Sequence, residues 1–229
     1  MFTAADGHAR RRGSRGLMRL KMMQKPRASY RRETAEDRRR QLGEAALRCI
    51  QRNGHAGVSV RQIAAEAGVT QGLITHHFGE VNELVAYAFD LMAADIQSGI
   101  AAAIAEADDK PAARMDACIE ASFSPEIFDQ STLGVWIVFW GLVLHSPKMS
   151  AAQQRDNGIY VSRMEALISD LAGAEGFPVA NPRLAAIQFA AMFDGLWLNW
   201  CLNPTSFSPQ DGIALCRNWV EGLRRGAYA

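Results

Sequence analysis

The sequence predicts an all-α chain in two parts, a small three-helix N-terminal head joined by one long helix to a larger helical body. Three observations predict it. Apolar residues recur at i, i+3 and i+4 through most of the chain, and no stretch alternates with period two over a strand's length. A short polar residue followed by proline recurs at Ser124-Pro125, Ser146-Pro147, Asn181-Pro182 and Ser208-Pro209. Each pair offers an N-cap oxygen and a proline at the first helical position, where its missing N–H costs nothing. Finally, Ser59 to Phe78, SVRQIAAEAGVTQGLITHHF, reads as two short helices around a glycine turn.

Residues 1–32 are rich in Arg, Gly and Ser and poor in large apolar side chains, which predicts a basic, disordered arm. Residues 1–40 hold thirteen Arg or Lys against four acids, whereas the rest hold twelve against twenty. The basic charge is therefore concentrated at one end although the whole chain is only +1. The arm is either a stretch upstream of the true start or a device that follows a nucleic-acid backbone; Arg38, Arg39 and Arg40, nearest the head, are its candidate contacts.

Thr34 to Asn53 predicts the first helix, with Leu42, Ala46, Cys49 and Ile50 on one stripe and Gly54 as its end. Ser59 with Gln62 predicts a capping box for the next, with Ile63, Ala64 and Ala67 inward; Gly68 supplies the turn. Thr70 then offers an N-cap oxygen to a third helix, Gln71 to Phe78, with Leu73, Ile74 and Phe78 inward. Residues 33–80 thus form the head and 81–229 the body. In the body, Val81 to Glu106 is one long helix, followed by helices near 111–122, 125–145, 147–173, 182–203 and 209–225.

Helix, short turn, helix is the geometry that lays its second helix in a DNA major groove. The outward face of that helix carries Gln71, Thr75, His76 and His77 and no carboxylate, as a surface for phosphates and base edges requires. Thr70 and His77 are candidate backbone contacts, Gln71, Thr75 and His76 candidate base contacts, and Ser59 and Arg61 phosphate contacts from the first helix of the pair. The stretch from Thr34 to Leu84, with the Glu83-Leu84 pair, resembles the TetR-type bacterial transcriptional repressors. Thr75 stands where many members have Tyr, and Val81 where many have Lys. The resemblance implies a homodimer, built through the last two long helices, that binds a palindromic double-stranded DNA operator and responds to a small-molecule effector.

Trp136, Phe139 and Trp140 fall at i, i+3, i+4, and Phe189, Phe193, Trp197 and Trp200 share one face of a later helix with Asp194 on its shoulder. Such rings usually fill a core, but rings beside a carboxylate also suit an ammonium group. The segment MFDGLWLNW, with Trp136 to Trp140, resembles the C-terminal domain of the choline-sensing repressors of glycine betaine synthesis. That implies an amine or choline-like effector held by Trp136, Phe139, Trp140, Phe193, Asp194 and Trp197. The Asp194–Trp197 region could equally lie at a subunit boundary.

A helical enzyme or binding protein acting on an amine is the rival class. His8, His55, His76, His77 and His145 show no catalytic pairing with Ser, Cys or Asp, so no catalytic residue is assigned. Cys49, Cys118, Cys201 and Cys216 have no C-x-x-C spacing and His76-His77 lack i, i+4 spacing, so neither a metal nor another cofactor is expected. The longest uncharged run, Gln130 to Pro147, suits a buried helix rather than a membrane span. A cytoplasmic, nucleoid-associated protein is expected.

Overall fold

The computed structural model describes residues 34–227. The basic arm at 1–32 lies outside the described residues. The helices are α1 (Ala35–Asn53), α2 (Val60–Ala67), α3 (Gln71–Phe78), α4 (Val81–Glu106), α5 (Pro111–Ser122), α6 (Gln130–Val143), α7 (Pro147–Glu175), α8 (Pro182–Leu202) and α9 (Pro209–Arg224). A 3₁₀ turn, Gly54–Gly57, links α1 to α2, and no strand occurs among the described residues.

The head forms because short-range signals agree. Thr34 and Asp37 close a full capping box on α1, and Gly68 ends α2 in the left-handed region at φ 68°. Two sequence expectations at the caps need correction. At α2 the Ser59 hydroxyl accepts from the Gln62 N–H at 3.3 Å and donates to the Gln62 side chain at 3.0 Å, so the reciprocal half of the box is spent on the hydroxyl. Thr70 occupies the N-cap position of α3 but makes no capping bond. Glu66 accepts from Arg48 and Arg52 of α1, each at 2.8 Å, and these bonds hold its carboxyl below the usual range. They also draw the sole acid of the 59–78 stretch toward α1.

Apolar burial joins head to body. Leu42, Ala45, Ile63, Ile74, Phe78, Leu84 and Phe89 belong to one core that continues through α4 into α5, α7 and α8. Gly43 lets α1 approach α4 closely: a Cβ there would lie 2.6 Å from Leu91 Cδ1. Helix α4 is long and apolar enough to cross a bilayer by length and composition. In this fold it is a packed core helix, and Asp90 on it pairs with Arg155 of α7 at 2.9 Å.

Ser146-Pro147, Asn181-Pro182 and Ser208-Pro209 open α7, α8 and α9 as expected, each with a side-chain cap bond. Ser124-Pro125 does not open a helix. The chain instead turns over 124–128, burying Ile127 and Phe128, and Asp129 caps α6 through the Thr132 N–H at 3.0 Å. The gain from two buried apolar side chains outweighs the local cap signal, since each is worth about 1.5–3 kcal/mol.

Candidate functional site

The head presents α3 outward. Ile74 and Phe78 are buried, while Gln71, Thr75 and His76 are exposed beside the exposed Arg61 of α2. The Thr75 hydroxyl donates back to the Gln71 carbonyl at 3.3 Å, which satisfies it within the helix. His77 is half-buried; burial, and after it the neighbouring His76, Arg39 and Arg38, hold its pKa below the ordinary value. Arg39 is an internal brace. Its guanidinium lies 4.1 Å from the Phe78 ring centre and 5.1 Å from that of Tyr87, and it donates to the His77 carbonyl. Arg38 donates to Gln41 at 2.9 Å, and Arg40 is exposed.

The second candidate is a half-open cavity in the body, where α4, α6, α7 and α8 meet. Trp136 and Trp140 of α6 form one wall, with ring centres 6.1 Å apart. Phe193 and Trp197 of α8 form another at 4.7 Å, and Trp197 lies 6.5 Å from Trp136. Tyr160 of α7 stacks on Phe193 at 5.9 Å. Ile96, Gln97 and Ile100 of α4 also line it, as do Gln153 and Asn157 of α7.

Two carboxylates line this cavity, Asp194 and Asp156. Asp156 accepts from Gln97 at 3.1 Å, and Gln97 is held in turn by Arg163, which donates to both its side-chain and backbone carbonyls. Burial still raises the Asp156 pKa, with Gln97 and Arg163 opposing. Asp194 has no hydrogen bond among the described residues; burial, and then the charge of Asp156, push it up to about 6. In the single chain Asp194 nonetheless keeps more than a third of its surface accessible. Its carboxyl sits on the shoulder of α8, between the ring-bearing face and the outward one.

Five of the six ring-and-carboxylate residues expected from the sequence thus meet at one cavity. Phe139 does not. It is fully buried against Phe89, 5.4 Å away, because its side of α6 faces α4. The sequence reading missed Gln97, Asp156 and Tyr160. Tyr160 and Asp156 sit one turn apart on α7, an aromatic and a carboxylate at i, i+4, which was the available signal. His145 is exposed at the end of α6 and does not line the cavity.

The four cysteines are buried and unbridged, and burial raises Cys118 to about 11 and Cys216 to about 12, which keeps those thiols protonated and inert. Among the described residues no group of three or more His, Cys, Asp or Glu could hold a metal ion.

Residues 42–88 match the family model of bacterial regulatory proteins of the tetR family, and residues 111–225 that of the BetI-type transcriptional repressor C-terminal domain. The chain belongs to the TetR family. Like other TetR members it is a transcriptional regulator with a ligand-responsive body, not an enzyme. The HTH-type transcriptional regulator BetI of Serratia proteamaculans is 30% identical over 190 residues, covering 82% of this chain and 93% of the relative. That of Burkholderia thailandensis is 29% identical over 188 residues, covering 82% and 94%. A transcriptional regulator of Pseudomonas aeruginosa PAO1 has a crystal structure with TM-score 0.79 and 38% identity, covering 86% of this chain and 95% of that one. A Saccharomonospora viridis regulator, solved in complex with choline, shares the fold at TM-score 0.70 and 19% identity, covering 81% and 96%.

Proposed function

We propose that the chain is a homodimeric repressor, cytoplasmic and nucleoid-associated, that reads a palindromic operator through α3 and is released by a small cationic amine such as choline. The single observation that carries the effector reading is the ring-walled cavity with Asp194 unpaired at its edge. Ring faces attract a quaternary ammonium, and a partly desolvated carboxylate without a donor is stabilised by its charge. The names of the BetI relatives and the choline complex of a neighbour of the same fold agree with this.

In the head, residues 33–80, Gln71, Thr75 and His76 meet base edges, Thr70 and His77 the backbone, and Ser59 and Arg61 the phosphates. Arg38 and Arg40 approach the phosphates from α1, while Arg39 serves by fixing the end of α3. In the body, residues 81–229, Leu184, Ile187, Leu198 and Leu202 of α8 are exposed by 61, 45, 36 and 71%, and Leu215 of α9 by 46%. The four on α8 fall on one face, which is the pattern of a helix that pairs with a second copy. A two-fold dimer places the two α3 helices about 34–36 Å apart, or at a multiple of that, on one side of the duplex.

Selection from random duplexes, followed by fluorescence anisotropy on the recovered sequence, tests the reading. A palindrome should be recovered, and millimolar choline should release it. Absence of any sequence preference would overturn the operator assignment; a complex indifferent to choline and other quaternary amines would overturn the effector assignment.

A further inference from the structure

Helices α4 and α7 are tied together by a ladder of side chains that begins at the head and ends at the cavity. Lys148 of α7 meets Glu83 of α4 at 2.9 Å and Glu80 at 3.2 Å. Arg155 donates to both oxygens of Asp90, at 2.9 and 3.0 Å. Arg163 donates to the side-chain and backbone carbonyls of Gln97. The rungs join residues 65, 65 and 66 positions apart in the chain, so α4 and α7 run parallel and in register. Glu83, Asp90 and Gln97 recur every seventh residue, the repeat that keeps one flank of a helix against a parallel neighbour.

The first rung reaches the reading helix. Glu80 holds the N-cap position of α4, and only Gly79, at φ 70°, separates it from Phe78, the last residue of α3. Lys148 therefore grips the corner from which α3 departs, while Arg39 of α1 holds the same end of α3 from within the head, through the His77 carbonyl. The side chains of Lys148, Glu80 and Glu83 are each at least 42% exposed, and exposed ion pairs add little to stability. The consequence of this contact is the angle of α3. We propose that Lys148 is a positioning residue for DNA binding: through Glu80 and Glu83 it sets how α3 leaves the body, and the rungs above it carry movement of the cavity wall to that corner. The cavity divides along the same line, since α4 and α7 supply Gln97, Asp156 and Tyr160 while α6 and α8 supply Trp136, Trp140 and Trp197. A molecule entering between the two sides acts on α4 and α7 as one unit.

A charge-swap cycle tests the clasp, read by fluorescence anisotropy on the selected duplex with no effector present. Lys148→Glu and Glu83→Lys should each weaken binding at least about threefold, and the two together should restore it to within about twofold of the natural protein. Glu83→Lys separates geometry from charge, because added positive charge beside a duplex by itself tightens binding. Melting temperatures should stay within about 4 °C throughout. Glu83→Lys binding as tightly as the natural protein or tighter, or a double variant that restores nothing, overturns the clasp. The upper rungs are read with Arg155→Gln, which alters neither the head nor the cavity lining, and this arm rests on the amine reading. Calorimetry should show choline bound within about twofold of its natural affinity, yet the factor by which choline weakens operator binding should fall at least about threefold. An unchanged factor overturns the ladder as the route from the cavity. Failure of choline to bind the natural protein overturns the amine reading and, with it, the cavity's part in the ladder, and the swap cycle alone then decides the clasp.

Discussion

Replacing Asp194 by Asn should move ligand affinity and protein stability in opposite directions. In the fold its pKa is raised from 3.8 to about 6. The charged form is thus disfavoured relative to the unfolded chain, so the unliganded protein is most stable below about pH 4 with respect to this group and loses that contribution as pH rises through about 6. At about 1.4 kcal/mol per unit the full shift amounts to roughly 3 kcal/mol at pH 7.5. Because the residue keeps more than a third of its surface, solvent screening reduces this to about 1 kcal/mol. Asn avoids that loss, and Tm should rise by about 2–4 °C at pH 7.5. The ligand loses by the same change. A cation about 5 Å from the carboxylate gains about 3 kcal/mol at an effective dielectric of about 20. After screening, about 1–2 kcal/mol remains, or a rise of about 5–30-fold in the choline Kd.

Calorimetry at pH 7.5 and pH 5 adds a second readout. At pH 5 Asp194 is largely protonated in the free protein, so choline should bind the natural protein severalfold more weakly than at pH 7.5. Asp194→Asn should flatten this profile to the part contributed by Asp156. A variant that keeps the natural affinity and pH slope, or whose Tm falls, would refute the assignment of Asp194 as the counter-ion.

Three further outcomes are expected. Gln71→Ala with His76→Ala should weaken operator binding at least about tenfold in a gel-shift titration while sedimentation shows an unchanged dimer; each lost base contact is worth about 1–3 kcal/mol. Gly57→Ala should cost about 3 kcal/mol in denaturant melts, since its Cβ would lie 2.3 Å from the Cys49 carbonyl oxygen, whereas Gly68→Ala, at φ 68° with open space around it, should cost about 1 kcal/mol. Ile187→Glu with Leu202→Glu should give a folded monomer by light scattering; a dimer that survives both charges would place the interface elsewhere.

Where the signal is local, the sequence is legible. The capping oxygens and prolines of α7, α8 and α9, and the left-handed Gly68, act within one turn of the chain and appear where their residue types require. Ser124-Pro125 failed as a helix start because Ile127 and Phe128 are claimed by a core assembled from distant segments. The ring site was half legible for the same reason. Periodicity groups Trp136 with Trp140 and Phe193 with Trp197 on their own helices, but only the packing decides that Phe139 faces α4, or that α7 brings Asp156 and Tyr160 to the same cavity.

Helix α4 begins at Val81 against the head and carries Gln97 in the cavity lining, so one helix runs from the head to the cavity. At about 1.5 Å per residue the two points are about 24 Å apart, and a tilt of about 5° about one swings the other by about 2 Å. That is more than half the spacing between neighbouring base pairs, about 3.4 Å. In the dimer proposed above the two swings would add, and a tilt of that size would be enough to put the pair of α3 helices out of step with the groove.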